Sequence, residues 1–332
     1  MTLHEKQYKN TVMRLGLALL LFEALFSLKD IVISVALVVL PIFLVSATSE
    51  VVCEVLGGLL YIATFCLPVF FFGAISKKHA PIEPIRCEWR ASRGTFPAIF
   101  FGLAVVSAAA YVNAFLVGFL SKGALNATLP AETSVSGNTN LVLLFFTLAV
   151  IPAFVEEFLF RGLVLSNLLP YGRTTAIIAS SVLFGIMHQN VAQLFYATAA
   201  GIVLGYLYVK TESIWPCVLL HFCNNCRSVL QLGINERLPA QTAKTVVYVM
   251  EGVLLVAAIV SAVYLFLRER DTRHDVRVSG AFEQELAPDA EYTAFPIAPA
   301  RRAKLFFHPV MIAFLVLCAI QAFSLLTFTM LF

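Results

Sequence analysis

Charged residues are scarce in this sequence, and their scarcity excludes an ordinary water-soluble domain. Asp, Glu, Lys and Arg make up 13% of the 332 residues, and 60% of the residues are hydrophobic; soluble domains carry about 25% charged residues. The alternation of apolar and polar residues that a membrane β-barrel needs is also absent. The apolar runs are long enough for helices of about 20 residues, so we expect an all-α, polytopic transmembrane bundle of about eight to nine spans.

A cleavable signal and a disulfide framework are missing as well. The apolar run at 11–47 is too long for the hydrophobic region of a signal peptide. The seven cysteines are an odd number and lie mostly in apolar segments, which is typical of reduced thiols. These absences favour a multi-pass integral membrane protein, and we expect it in the cell (plasma) membrane.

Apolar runs and charged breaks divide the chain into five parts. They are N-terminal transmembrane helices with a basic loop (1–140), a catalytic membrane core (141–232), a further transmembrane helix (233–267), a linker (268–304) and a C-terminal transmembrane helix (305–332). Basic residues crowd the loop at 77–93 and the linker, which predicts that both, and the N-terminus, are cytoplasmic. Residues 31–47 are the predicted first span, and 11–27 are either its bent extension or an interfacial helix. The mixed-charge linker is predicted to be solvated and partly disordered.

Two carboxylates and one guanidinium interrupt the apolar stretch 141–169. Each would cost about 2.5 to 3.5 kcal/mol at a helix centre on insertion scales unless it faces protein or water. If the stretch is one helix, Glu157 and Arg161 stand four residues apart on one face and can pair. Glu156 is rotated by about 100° from Glu157. We therefore expect Glu157 to be structural and Glu156 to be the carboxylate free for chemistry.

Further polar residues end or interrupt the next apolar runs. His188 follows Phe184 by four residues, and Asn225 follows His221 by four, so each pair shares one helical face. At 1.5 Å per residue, Glu156, His188 and the His221–Asn225 pair lie at similar depths of about 12 to 21 Å from the cytoplasmic ends of their helices. This agreement among three helices predicts one polar site.

These residue types together suit amide hydrolysis without a nucleophilic serine or cysteine. A buried carboxylate such as Glu156 can act as general base on water, and an imidazole can share that water or protonate the leaving amine. A second imidazole and an amide, His221 and Asn225, can donate hydrogen bonds to the oxyanion.

A metal-dependent version can be written with the same side chains. His188, His221 and one carboxylate, such as Glu156, resemble a zinc set with water in the open position. Asparagine is a poor zinc ligand, however, and the common His-Glu-x-x-His signature of metalloproteases is absent. The sequence leaves both alternatives, no cofactor or one zinc ion.

The three motifs resemble those of the CAAX prenyl endopeptidase and bacteriocin-processing family of intramembrane proteases, abbreviated CPBP. They are Glu156-Glu157-x-x-x-Arg161, Phe184-x-x-x-His188 and His221-x-x-x-Asn225. The resemblance covers about residues 140 to 230 and implies an all-helical core with peptidase activity. It also implies that Glu156 and His188 hold the attacking water and that His221 and Asn225 stabilise the intermediate. Both metal-dependent and glutamate-dependent mechanisms have been argued for the family.

The resemblance implies a peptide or lipid-anchored protein as substrate, in CAAX-type C-terminal processing or in bacteriocin or peptide maturation. Membrane lipids are the other expected partners, and nucleic acid is not one. Two other function classes were weighed. A transporter also places such residues at the membrane midplane, but the chain has no convincing inverted repeat. A non-catalytic immunity or scaffold protein would lose polar site residues, and all of the expected ones are present.

Overall fold

The computed structural model describes residues 1–76, 83–90, 92–121, 141–279 and 297–331. This part of the chain consists of helices and short connections and contains no strand, so the predicted all-α membrane bundle is confirmed. The helices in chain order are α1 (Leu3–Phe43), α2 (Ser46–Ser76), α3 (Thr95–Ser121), α4 (Leu141–Tyr171), α5 (Arg173–Ile186), α6 (Val191–Thr211), α7 (Trp215–Arg237), α8 (Ala240–Ser279), α9 (Pro299–Phe306) and α10 (Pro309–Leu331).

The number of helices able to cross a membrane differs from the expected eight to nine. Six described helices are long and apolar enough, or seven if α9 and α10, which meet at 65°, form one span. The 14 residues of α5 extend only about 21 Å, which is less than the hydrocarbon thickness of about 30 Å. The polar cluster around His221 and Asn225 lowers the hydropathy of α7.

The first helix joins two segments that the sequence leaves separate. α1 has 41 residues and is therefore about 60 Å long. It begins with a capping box, in which Thr2 N–H donates to Glu5 and Glu5 N–H donates to the Thr2 hydroxyl. Residues 11–27 continue without a break into the predicted span at 31–47. They are an extension of that span, and the helix ends at Phe43.

Two π-helical segments flank the glutamate pair in α4. They are Phe145–Val150 and Phe158–Leu165. Pro152 lacks the N–H that would bond to the carbonyl four residues earlier, which explains why the first widened segment precedes it. The second begins directly after the glutamates, and Ser166 N–H bonds to the Arg161 carbonyl five residues back. Such segments are frequent at functional sites.

Small residues bring α5 and α6 into close contact. A Cβ atom added at Gly201 would lie 2.9 Å from the Cα atom of Ser181 on α5. A Cβ atom added at Gly185 would lie 2.1 Å from the Thr198 hydroxyl oxygen on α6. Both glycines are therefore required by the close approach of these two helices, which carry His188 at the turn between them.

The basic loop contacts the turn between α6 and α7. Ile214 N–H donates to the Arg86 carbonyl at 3.0 Å. Arg86 and Arg90 form ion pairs with Glu212 at 3.0 and 2.9 Å. The described part of this loop, 83–90 and 92–94, thus lies on the same side of the bundle as the α6–α7 turn. The predicted topology also places the two on one side.

The helices change two of the predicted boundaries. The linker at 268–304 is helical at both ends, because α8 runs to Ser279 and α9 begins at Pro299. Residues 268–279 contain neither glycine nor proline and have alternating charges that favour continuation of a helix. Residues 280–296 of the linker, and 122–140 of the predicted outer loop, lie outside the described residues. The last core helix continues past the predicted boundary at 232 to Arg237.

Candidate active site

The two adjacent glutamates of α4 are buried and have different partners. Glu157 is fully buried, as is Arg161, whose Nη1 donates to Glu157 Oε1 at 3.0 Å. The Nη2 atom of Arg161 donates to the Gly201 carbonyl on α6 at 3.1 Å. Arg161 therefore links α4 to α6 through the close contact that the glycine allows. The structure contains the ion pair that the four-residue spacing indicates.

His221 of α7 contacts both glutamates. Its Nδ1 lies 2.8 Å from Glu157 Oε1, and its Nε2 lies 3.9 Å from Glu156 Oε2. A carboxylate accepts hydrogen bonds, so the Nδ1–H of His221 is the donor to Glu157. This hydrogen bond fixes the ring and directs Nε2 toward Glu156. Glu157 therefore orients His221 in addition to pairing with Arg161, a role that the sequence did not predict.

The imidazole of His188 is fixed by its own backbone. His188 Nδ1 lies 2.8 Å from the Phe184 carbonyl oxygen. A carbonyl only accepts, so Nδ1 carries the proton, and Nε2 of the neutral ring is left as the basic nitrogen. His188 and His221 pack against the same ring, that of Phe184, and His221 Nε2 faces Glu156.

Phe184 is the apolar centre of the cluster. Its ring centroid lies 5.1 Å from that of His188 and 5.9 Å from that of His221. The guanidinium carbon of Arg161 lies 4.5 Å from the same centroid, over the ring face. The aromatic ring thus spaces the two imidazoles and holds the arginine by a cation–π contact.

Tyr61 of α2 is a site residue that the sequence analysis missed. Its hydroxyl donates to Glu156 Oε1 at 2.5 Å, a short, charge-assisted hydrogen bond. The other carboxylate oxygen, Glu156 Oε2, is buried without a hydrogen-bond partner among the described residues. A tyrosine in an apolar run belongs to no motif, and α2 is about 95 residues away in sequence, so no local signal marked it.

Asn225 is bound to its neighbour and not to His221. Asn224 Nδ2 donates to Asn225 Oδ1 at 3.3 Å and to the Tyr196 hydroxyl at 2.7 Å. Among the described residues, the Nδ2 group of Asn225 donates no hydrogen bond, so its two N–H donors are available for another partner. The structure therefore brings together six of the seven motif residues by direct contact and places Asn225 one helical turn after His221 on α7.

The side chains of the site include donor types that zinc prefers, two imidazoles and two carboxylates. Among the described residues, no group of three His, Cys, Asp or Glu side chains is placed to hold a metal ion. His221 Nε2 and Glu156 Oε2 are 3.9 Å apart, while Glu156 Oε1 is occupied by Tyr61 and His221 Nδ1 by Glu157. A tetrahedral site needs ligand atoms about 2.0 to 2.2 Å from the metal.

The comparisons with known proteins identify the same segment. Residues 138–227 match the family described as type II CAAX prenyl endopeptidase, Rce1-like. A relative from Bacillus subtilis (strain 168), "Putative membrane peptidase YdiL", is 31% identical over 86 residues. The match covers 25% of this chain and 34% of that relative, so the chain spans about a third of the relative's length. No solved structure matches the chain. The matched segment contains all seven motif residues but not Tyr61.

Proposed function

We propose that this CPBP-family membrane protein is an intramembrane endopeptidase. It hydrolyses a peptide bond with water that Glu156 activates. The observation that carries the proposal is the environment of the Glu156 carboxylate. One of its oxygens is held by Tyr61, and the other is buried, without a hydrogen-bond partner among the described residues, and 3.9 Å from His221 Nε2. This leaves Oε2 as the atom available to accept a proton from water.

The reaction conserves atoms and protons without a covalent enzyme intermediate. Water gives a proton to Glu156 Oε2 as its oxygen attacks the scissile carbonyl carbon. The carbonyl oxygen becomes an oxyanion in a tetrahedral intermediate. As the carbon–nitrogen bond breaks, the proton held by Glu156 passes to the leaving amine. The products are a carboxylic acid and an amine, which leave as a carboxylate and an ammonium ion once the acid has given its proton to the amine. His188, whose basic nitrogen is Nε2, accepts a hydrogen bond from the same water and orients it.

Two groups on α7 are suited to stabilise the oxyanion. The Asn225 Nδ2 group donates no hydrogen bond to a described residue, so its N–H donors are available. His221 donates from Nε2 only as an imidazolium, because Nδ1 carries the other proton toward Glu157. The carboxylates of Glu156 and Glu157 flank that ring and support its positive charge. Preorganised donors of this kind contribute about 10² to 10³ in rate.

The substrate is proposed to be a peptide or a lipid-anchored protein that reaches the site from the membrane. Glu156 lies in α4 and Tyr61 in α2, two helices long and apolar enough to cross a membrane, and exposed apolar side chains cover α1, α2 and α8. Membrane lipids are therefore the surroundings of the substrate as well as of the enzyme. CAAX-type C-terminal processing and bacteriocin or peptide maturation both fit this substrate class.

A cleavage screen with purified protein tests the activity. A library of membrane-anchored and free peptides would be incubated with the wild-type protein in lipid vesicles and analysed by mass spectrometry. We expect cleavage at defined bonds, with one oxygen from ¹⁸O-labelled water in the new carboxylate. Glu156→Gln is the matched control, since it keeps the shape and removes the base. An absence of any product that depends on Glu156 would contradict the proposal.

A further inference from the structure

A second buried carboxylate, far from the family motifs, contacts the residue that follows His188. Glu23 lies on α1 with 2% of its surface exposed, and Gln189 is 8% exposed. Gln189 Nε2 donates to both oxygens of Glu23, at 3.1 and 2.9 Å. The thiol of Cys318 on α10 donates to Glu23 Oε2 at 3.5 Å. Neither partner is positively charged, so this carboxylate is costly to bury in a membrane helix and indicates a functional constraint.

The backbone of Gln189 is in an unusual conformation. Its φ angle is +52°, in the left-handed region that residues with a Cβ atom rarely adopt. Such residues persist where their surroundings hold them, and they cluster at functional sites. Gln189 lies in the tight turn between α5 and α6, where its N–H bonds to the Ile186 carbonyl at 3.0 Å. The two hydrogen bonds to Glu23 hold the side chain of this strained residue from outside the turn.

The position of His188 depends on this turn. His188 comes directly before Gln189, and its N–H bonds to the Gly185 carbonyl at 3.3 Å. Its ring is tied by Nδ1 to the Phe184 carbonyl. A change of the Gln189 backbone toward negative φ would rotate the peptide unit that joins it to His188. The imidazole would then move relative to Glu156, which is carried by a different helix.

We propose that Glu23 is a positioning residue: it holds Gln189 in the left-handed conformation and thereby places the imidazole of His188 for water activation. The proposal rests on the proposed function in assigning His188 to the attacking water. It gives α1, which lies outside the matched segment 138–227, a defined part in the site.

The residue before Glu23 supports the same part of the site through aromatic contacts. Phe22 packs on Phe65 of α2 with ring centroids 4.9 Å apart, and Phe65 packs on Tyr61 at 4.7 Å. Tyr61 in turn donates to Glu156. Two adjacent residues of α1 therefore reach the two sides of the proposed water site, one through aromatic rings and one through Gln189.

Glu23 could instead serve only to join α1 to α10, and a matched control separates the two roles. Gln321 of α10 donates to the Ser27 hydroxyl of α1 at 2.7 Å, one turn after Glu23. This contact joins the same two helices without involving Gln189. Gln321→Ala therefore loosens α1 from α10 while the Glu23–Gln189 contact is kept.

The kinetic test compares Glu23→Gln, Glu23→Ala and Gln189→Ala with Gln321→Ala. We expect the first three to lower kcat by about ten- to hundredfold with KM within about twofold, as expected for a small displacement of a catalytic group. The double variant Glu23→Ala with Gln189→Ala should have a kcat no lower than that of either single variant. In the Glu23→Ala background, Gln189→Gly should give a higher kcat than Gln189→Ala, because glycine adopts positive φ without strain.

A spectroscopic measurement tests whether Glu23 positions His188, without relying on peptidase activity. The nitrogen-15 spectrum of histidine side chains should contain a His188 signal of the Nδ1–H tautomer, identified by its loss in His188→Asn. We expect this signal to shift or broaden in Glu23→Gln and Glu23→Ala but not in Gln321→Ala. An inactive wild-type protein would contradict the proposed function. The spectrum would still show whether Glu23 positions the His188 ring. An unchanged His188 signal in both Glu23 variants, or an equal loss of kcat in Gln321→Ala, would overturn the positioning role of Glu23.

Discussion

His221 Nδ1 and Arg161 Nη1 converge on one oxygen of Glu157, at 2.8 and 3.0 Å. The residues come from α7 and α4, so this oxygen joins the helix that carries the glutamates to the helix that carries the proposed oxyanion donors. Arg161 fixes the carboxylate, and the carboxylate fixes the ring of His221. The ion pair is therefore a support for the imidazole as well as for the helix.

Glu156→Gln is expected to abolish proteolysis and leave the fold intact. Glutamine has nearly the same shape and still accepts a hydrogen bond from Tyr61, but it cannot take a proton from water. General base catalysis contributes about 10²- to 10⁴-fold, so kcat should fall by at least that range. Peptide cleavage and thermal unfolding in detergent would be measured on the same preparation. Wild-type activity in this variant would refute the assignment of the base.

Glu157→Gln is expected to reduce stability as well as activity. It leaves Arg161, which is fully buried, without its counter-charge, and removal of one partner of a buried pair costs about 3 to 5 kcal/mol. It also weakens the hydrogen bond that orients His221. The midpoint of unfolding should fall well below that of Glu156→Gln, which serves as the comparison. Equal midpoints for the two variants would show that the ion pair does not stabilise the bundle.

Tyr61→Phe is expected to lower activity without unfolding the protein. The variant loses the hydrogen bond to Glu156 but keeps the ring that packs on Phe65 at 4.7 Å. Hydrogen bonds to charged groups contribute about 1.5 to 3 kcal/mol, so kcat should fall by about ten- to hundredfold. Tyr111→Phe, at an exposed tyrosine of α3, is the control and should match the wild type. A Tyr61→Phe enzyme as active as this control would remove Tyr61 from the site.

The local parts of the site were predictable from the sequence, and the contacts between helices were not. The Glu157–Arg161 pair follows from four-residue spacing on one helix. The contact of His221 with Glu157 joins positions 64 residues apart and depends on how α4 packs against α7. Tyr61 and Glu23 have no motif, because a single polar residue in an apolar run says nothing about its partner. Asn225 accepts a hydrogen bond from Asn224, and its role as an oxyanion donor stays a prediction.

For the fold too, the helices were predictable from the sequence, and the details of their ends and of their internal hydrogen bonding were not. Long apolar runs specify helices because a membrane requires internally bonded backbone. Charged residues do not end a helix by themselves, and α8 continues through them to Ser279. The π-helical segments around the glutamates leave no clear hydropathy signal.

Labelling of Cys87 tests whether the basic loop is cytoplasmic. Cys87 is the exposed member of the seven cysteines and lies in the loop whose basic residues predict a cytoplasmic side. A membrane-impermeant maleimide should modify it in inverted vesicles but not in intact cells. Ala240→Cys, at the exposed first residue of α8, should show the opposite pattern in a protein with Cys87→Ser. Modification of Cys87 in intact cells would show that the topology is the reverse of the predicted one.

Metal removal tests the proposed chemistry at its most specific point. The described residues contain no group of three His, Cys, Asp or Glu side chains placed to bind a metal ion, and Asn225, one turn after His221, is a poor zinc ligand. We therefore expect chelator-washed, active enzyme to contain less than about a tenth of an equivalent of zinc, well below the one ion per site of a zinc hydrolase. Activity should be retained after the wash.

A zinc site would need His188 and His221 to bind as neutral imidazoles through Nε2, with Glu156 completing the set. One zinc per chain, lost together with activity and restored with it on readdition, would establish that arrangement in place of the metal-free one. His188→Ala distinguishes the two further, because it should abolish stoichiometric zinc binding only if the imidazole is a ligand.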